Sequence, residues 1–113
     1  MDLVSEIMQK SKQLEVSIKQ LRKSGQDYAE ARTNYRIALA KELIKLKDEG
    51  FAITLAGDIA RGKPEIARLK FDEISKEAIY KANQEAIQGI KLQIRLLDAQ
   101  LTREWGSSGK GDL

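Results

Sequence analysis

The first part of the chain carries an apolar stripe whose spacing alternates between three and four residues. Eight of its twelve positions are apolar, a pattern that extends over about five heptads. This spacing predicts one long helix, residues 2–49, with a coiled-coil-like face. The apolar positions are Ile7, Leu14, Ile18, Leu21, Tyr28, Tyr35, Leu39 and Leu46, and the others hold Ser11, Gly25, Arg32 and Glu42.

The weakest point of this helix is Ser24-Gly25. Glycine inside a helix costs about 1 kcal/mol relative to alanine, and a break here would divide the helix in two. The stripe nevertheless stays on one face from Leu21 to Tyr28, which favours a continuous or slightly kinked helix. Alternatively, Gly25 leaves a gap that admits a bulky side chain from an opposing helix.

Turn signals follow the first helix. Gly50 is placed to cap its C-terminus, and residues 51–54 fit a short extended connection. Thr54 can cap a short helix over residues 55–61, which Gly62 can end. We expect four apolar residues of this segment to plug the end of a helical hairpin: Phe51, Ile53, Leu55 and Ile59.

A second long helix is predicted over residues 64–105. The chain's single proline, Pro64, stands at its first turn, where the missing N–H costs nothing. From Ile79 onward the apolar spacing is close to 11 residues per three turns, which predicts a nearly straight stripe. Trp105 is expected to hold the end of this helix against the first helix or a neighbouring subunit. The Gly/Ser-rich residues 106–113 predict a flexible tail.

Together these elements predict an all-α fold: a long antiparallel helical hairpin, coiled-coil-like, with a short helix at the bend, forming one domain over residues 1–105. In a two-helix hairpin the apolar residues on either side of the seam stay exposed to water, and a core this small gives only marginal stability. We therefore expect the chain to assemble into a helical bundle, as a dimer or tetramer. The predicted core or oligomer seam comprises Leu14, Ile18, Leu21, Tyr28, Tyr35, Leu39, Leu46, Ile90, Leu97, Leu101 and Trp105.

The composition argues against most catalytic chemistry. The 113 residues include no cysteine and no histidine, so thiolate metal sites, disulfides and the commonest general base are absent. We predict no catalytic, metal or cofactor-binding residues and no enzymatic activity. The N-terminus does not resemble a signal peptide, and no apolar run reaches the roughly 20 residues of a membrane span. A cytoplasmic location without membrane contact is therefore expected.

Basic residues gather around the bend, although the net charge is only +3 from 20 basic and 17 acidic groups. At one end of a hairpin these residues would be placed to contact phosphates or a partner protein. Nearby acidic residues offset them, and an ordinary solvated helix surface explains them better. The candidate contact residues are Lys45, Lys47, Arg61, Lys63, Arg68 and Lys70.

Several short segments form a recognisable pattern between residues 20 and 105. It resembles small uncharacterised helical proteins encoded by phages and prophages of Gram-positive bacteria, often among early genes near recombination functions. The resemblance implies an origin, and it carries over no catalytic residues. The segments are Tyr28–Arg32, Tyr35–Lys41, Leu46–Gly50, Ile53-Thr54, Ala60–Gly62, Ala86-Ile87, Lys91–Arg95 and Arg103–Trp105.

Two functional hypotheses follow from the sequence. The first is a non-enzymatic helical protein-binding module that acts as an oligomeric adaptor or inhibitor of a host or phage protein. The alternative is a nucleic-acid-binding accessory protein in phage recombination or replication, which would use the basic residues near the bend. Charge distinguishes the two, because binding to phosphates falls steeply with salt.

Overall fold

A computed structural model of the chain describes the backbone of residues 2–111 and the side chains of residues 2–106. It contains helices α1 (Leu3–Asp48), α2 (Ile53–Gly62) and α3 (Pro64–Gly111), and no strand is assigned within residues 2–111. The predicted all-α hairpin, with a short helix at its bend, is confirmed.

The chain forms two compact units. Unit 1 consists of Met1–Arg22 and Ala82–Leu113, and unit 2 consists of Lys23–Lys81. In each unit a segment of α1 packs antiparallel to a segment of α3. Unit 2 also contains α2 and the bend.

Helix α1 is continuous through Ser24-Gly25, as the unbroken apolar face predicted. At its start, the Oδ1 of Asp2 accepts a hydrogen bond from the backbone N–H of Ser5, 2.7 Å away. This is the geometry of an N-terminal cap, and it lowers the pKa of the Asp2 carboxyl. The apolar residues of the predicted α1 stripe are all buried or half-buried. Arg32, which occupies one position of the predicted stripe, is exposed, and the neighbouring Ala31 is buried in its place.

Gly50 ends α1 in the way the sequence predicted. Its φ is +99°, and two backbone hydrogen bonds close the helix end. The N–H of Gly50 donates to the carbonyl of Lys47 (3.0 Å), and that of Phe51 donates to the carbonyl of Leu46 (3.2 Å). Together these bonds form a Schellman motif, which requires a left-handed residue at the Gly50 position.

Replacing Gly50 with alanine is expected to lower the free energy of unfolding by about 1–2 kcal/mol, because an L-residue in the left-handed region is strained by that amount. Gly62→Ala is the matched control, since Gly62 has no left-handed φ and a Cβ there would meet nothing within 4 Å. Urea unfolding followed by circular dichroism measures both. Equal stabilities for the two variants would contradict the prediction.

Helix α2 differs from its predicted boundaries. It begins at Ile53, not after Thr54, and Ala52 occupies the N-cap position without a side-chain cap hydrogen bond. Thr54 therefore lies inside the first turn. The first backbone hydrogen bond of α2 runs from the N–H of Ala56 to the carbonyl of Ala52, at 2.8 Å.

The predicted plug of bulky residues at the bend is also wrong for most of its members. Ile53 and Leu55 are 71% and 51% exposed, Phe51 is exposed, and Ile59 alone is half-buried. Small residues line the face of α2 that packs inward: Ala56, Gly57 and Ala60 are buried. A small face lets the α2 backbone approach α1 closely, so leucines of α1 provide the bulk of the core.

The core face of α3 follows a heptad spacing, which corrects the predicted 11-residue stripe. Ile79 is 52% exposed and Ala86 is exposed. The inward positions alternate in steps of three and four residues, as in α1, and Tyr80 takes the place expected for its neighbour Ile79. All of them are buried or half-buried: Ile66, Leu69, Glu73, Lys76, Tyr80, Asn83, Ile87, Ile90, Ile94, Leu97 and Leu101.

The gap predicted at Gly25 receives the ring of Tyr80. A Cβ placed on Gly25 would lie 3.1 Å from Cε1 of Tyr80. The same ring lies beside Tyr28, with the two ring centroids 6.0 Å apart and tilted by 32°. The alternative role proposed for Gly25, admitting a bulky side chain, is thus confirmed together with the continuity of the helix.

The end of α3 departs from the prediction in two ways. Trp105 is 69% exposed, so it does not hold α3 against α1. Asn83 of α3 lies beside Gln20 of α1. Because the two helices are antiparallel, Trp105, 22 residues after Asn83, lies beyond the first residue of α1. The helix also continues to Gly111 where a flexible tail was predicted. The last two residues of that tail, 112–113, lie outside the described part of the chain.

Candidate interaction site

The core of unit 2 forms where α2 packs on the end of α1. Leu46 is 3% exposed and contacts Ala56 and Ala60, which are 1% and 0% exposed. Three half-buried residues pack around this cluster: Leu39, Leu43 and Ile59. The bend is therefore an ordered structure that holds neighbouring side chains of α1 and α2 in fixed positions.

Beside this core, α1 and α2 enclose an open apolar groove of about 220 Å³. Ile44 and Ile53, on its two sides, are 63% and 71% exposed. Lys47 is the charged residue among those that line it; the full lining is Leu43, Ile44, Lys47, Ile53 and Ala56. We call these five residues the α1/α2 groove. It offers a partner an apolar contact with one cation at its edge.

Further large apolar side chains of unit 2 point into solvent from α1 and α3. Phe71 is 71% exposed, and Ala78, one heptad further along α3, is also exposed. Single exposed apolar residues are normal on a protein surface, so these side chains do not by themselves mark an interaction site. The residues concerned are Ile37, Phe71, Ile74 and Ile79.

A polar cluster links α1 and α3 at the end of unit 2 that is remote from the bend. The Lys81 ammonium lies 2.7 Å from Oε1 of Glu77, and the hydroxyl of Tyr28 also donates to this carboxylate. The hydrogen bond from Lys81, then that from Tyr28, holds the pKa of Glu77 below its ordinary value of 4.5. The same contact raises the pKa of Lys81. The cluster thus has a structural role in joining the two helices.

Glu77→Gln is expected to lower the thermal stability near neutral pH and not in strong acid. A lowered folded-state pKa adds stability above the ordinary value of 4.5, and this stability is lost as the pH falls through the folded-state value. Melting curves from neutral to acidic pH, compared with the exposed-site control Glu85→Gln, measure the effect. A difference from wild type that persists unchanged in strong acid would show that the charge of Glu77 is not its source.

A second carboxylate, Glu73, occupies an inward position of α3 and is 8% exposed. Its Oε2 lies 3.5 Å from the ammonium of Lys70. The same ammonium lies 4.8 Å from the centroid of the Tyr35 ring, within the range of a cation–π contact. Burial of this carboxylate is therefore accompanied by a cation on its own helix.

The structure does not bring the six predicted basic residues together on one surface. Lys45 and Lys47 lie two residues apart on α1, as do Arg68 and Lys70 on α3. Residues two apart on a helix point about 200° away from each other. Each pair is therefore divided between different sides of its helix, whereas Arg61 is exposed on α2.

Two of these cations are engaged within the chain. Lys63 forms an ion pair with Glu42, which joins the start of α3 to α1, and this hydrogen bond raises the pKa of Lys63. Lys70 contacts Glu73 and the ring of Tyr35. Sequence reasoning grouped these residues by their distance from the bend, and it did not detect the helical phase that separates them.

Unit 1 has a different character. Among its described side chains, Ile87 and Ile90 alone are buried. An open groove of about 490 Å³ lies between α1 and α3, and we call it the unit 1 groove; it is lined by Glu6, Gln9, Lys10, Gln93, Leu96 and Leu97. Of the predicted seam residues of this unit, Ile90 is buried and Trp105 is exposed, and the others are half-buried: Leu14, Ile18, Leu21, Leu97 and Leu101.

Searches for chemical sites and for relatives gave negative results. Within the described residues, no group of three or more acidic side chains is arranged to hold a metal ion, and no helix has the length and hydropathy needed to cross a membrane. No protein-family model matches the chain. No curated protein and no solved structure shows significant similarity to it.

Proposed function

We propose that this chain is a non-enzymatic helical module that binds another protein and acts as an oligomeric adaptor or inhibitor. The observation that carries the proposal is the α1/α2 groove, where Ile44 and Ile53 stand largely exposed on a rigid, well-packed base. A partner that inserts an apolar side chain there would cover both isoleucines. Complete burial of such a side chain is worth about 1.5–3 kcal/mol.

The shape and charge of the groove favour a particular kind of partner. Its lining is apolar except for Lys47 at the edge, which suits a segment with an apolar anchor and a neighbouring carboxylate. The base does not have to rearrange, because Leu46, Ala56 and Ala60 already fix the groove walls. Preorganisation of this kind reduces the entropy lost on binding.

The polar side chains of unit 2 support a binding role over a catalytic one. Glu77 pairs with Lys81 on the same helix, and Glu42 pairs with Lys63 across the hairpin. These contacts give both carboxylates a structural partner. The proposed phage origin, and with it a location in the cytoplasm of a bacterial host, rests on the sequence resemblance over residues 20–105 alone.

Comparative affinity capture tests the proposal. The immobilised full-length chain would be exposed to lysate of a Gram-positive bacterium, beside the double variant Ile44→Glu/Ile53→Glu. Ile79→Glu is the matched control, because Ile79 is also a half-exposed isoleucine of unit 2 outside the groove. We expect one protein to be retained by the wild type and the control, with at least tenfold less on the double variant. Retention that does not depend on the groove would contradict the proposal.

The nucleic-acid alternative has weaker support, because the basic residues are divided between helix faces and two of them are paired. Light scattering coupled to gel filtration, with and without short single- or double-stranded DNA, tests it. A shift with DNA that disappears as salt rises, and that is lost when Arg61, Lys63 and Arg68 are replaced by glutamate, would favour the alternative. A mass unaffected by DNA favours the protein-binding role.

A further inference from the structure

The total accessible surface of the chain is larger than expected for a monomer of its mass. It amounts to 8436 Å² for 12.7 kDa. Folded monomers of this mass expose about 6,200 Å², so the chain exposes about 2,200 Å² more than a typical monomer. Obligate dimers bury about 1,000–2,500 Å² per protomer. The additional surface is comparable in size to what one protomer contributes to a stable dimer.

The distribution of burial indicates where that interface lies. In unit 2, α2 covers α1 and completes a core around Leu46. Unit 1 has only α1 and α3, and its inward residues from Ile94 to Leu101 remain half-buried. Leu96, at the edge of the unit 1 groove, is 61% exposed. Two further helices packed on unit 1 would bury these residues, in the same way that α2 buries Leu46 in unit 2.

We propose that the unit 1 groove binds the same groove of a second copy of this chain, giving a two-fold symmetric four-helix assembly. In this assembly Leu96 of each copy enters the groove of the other. The inference deepens the proposed function, from which it takes the oligomeric state, and it assigns self-association to unit 1 and partner binding to unit 2.

The charges of the groove are self-complementary under this symmetry. Glu6 and Lys10 are one helical turn apart on α1, and both line the groove. A two-fold axis between two antiparallel copies of α1 brings Glu6 of one copy beside Lys10 of the other. An isologous interface requires this kind of self-matching surface, and opposite charges there favour the paired arrangement over others.

Light scattering coupled to gel filtration, at micromolar concentration of the full chain, tests the inference. We expect the wild type to elute at twice the mass of the chain and Leu96→Glu as a monomer, with a dissociation constant at least tenfold higher. Val16→Glu is the matched control, since Val16 is a 55% exposed residue of unit 1 that does not line the groove. Circular dichroism would show that all variants keep their helix content.

A charge exchange provides an independent test that does not alter the apolar contacts. Glu6→Lys should weaken the dimer, because the new lysine faces Lys10 of the second copy. The double variant Glu6→Lys/Lys10→Glu should restore it. A dimer that is insensitive to both Leu96→Glu and Glu6→Lys, or a wild-type monomer, would overturn the inference.

These outcomes are separate from those of partner capture. Suppose that partner capture is lost in the Ile44→Glu/Ile53→Glu variant, but dimerisation is unchanged by the unit 1 substitutions. This result would reject the present inference and retain the protein-binding role. Dimerisation through unit 1 without any groove-dependent capture would support this inference and reject the protein-binding role.

Discussion

Replacing Leu46 with alanine is expected to lower the free energy of unfolding by about 2–5 kcal/mol, the range for removing a large buried aliphatic side chain. Leu46 is 3% exposed and fills the space between α1 and the small-residue face of α2. The side chains of Ala56 and Ala60 end at Cβ, so they cannot move into the resulting cavity. The loss should therefore be in the upper part of this range.

Urea unfolding followed by circular dichroism, at one fixed protein concentration, measures this effect. Ile37→Ala is the matched control, because Ile37 lies on the same helix and is 50% exposed. Its free energy of unfolding should change by no more than about 0.5 kcal/mol. Leu46→Met, which nearly conserves volume, should lose less than about 1.5 kcal/mol. Similar losses for Leu46→Ala and Ile37→Ala would show that α2 does not pack on α1 as described.

Gly25→Leu is expected to lower the free energy of unfolding by about 1–3 kcal/mol, because the added side chain would overlap the ring of Tyr80. A Cβ alone would approach Cε1 of Tyr80 to 3.1 Å. Gly89→Leu should have the opposite sign, since a Cβ on Gly89 meets nothing within 4 Å. Leucine is a better helix former than glycine by about 0.8 kcal/mol, so Gly89→Leu should stabilise the chain by up to that amount.

A double-mutant cycle with Tyr80→Ala identifies the ring as the obstacle. Removing the ring should create space for the leucine introduced by Gly25→Leu, so the double variant should lose less stability than the sum of the two single variants. A coupling free energy of about 0.5–3 kcal/mol is typical of residues in direct contact. Strict additivity, measured by urea unfolding at the same concentration, would contradict the contact between Gly25 and Tyr80.

The sequence predicted those parts of the fold that depend on local chemistry. Gly50 ends α1 because the left-handed conformation favours glycine, and Pro64 begins α3 because its fixed φ suits a first turn. The spacing around Gly25 favoured a continuous or slightly kinked helix, and the small size of glycine suggested, as an alternative, a gap for a large side chain. Each of these features follows from a few neighbouring residues, and no knowledge of distant contacts is needed.

Features that depend on which apolar residues face inward were less predictable. Helix α3 has apolar residues on more than one face, so Ile79 gave the wrong stripe, whereas the inward residue is Tyr80. In α2, hydrophobicity favoured Ile53 and Leu55 as the buried face, but close packing selected Ala56 and Ala60. The α1/α2 groove results from this choice, and it was therefore not visible in the sequence. The basic residues do lie near the bend along the chain, but the prediction that they share one surface was wrong.

The contact between Gly25 and Tyr80 also selects one alignment of the two long helices over its competitors. Two helices with heptad spacing can slip past each other by seven residues and still match apolar faces. Such a slip would place Ile18 or Arg32, in place of Gly25, against the ring of Tyr80. Neither residue leaves room for the ring at that position. One small residue and one large one thus penalise the slipped hairpins and specify a single pairing of α1 with α3.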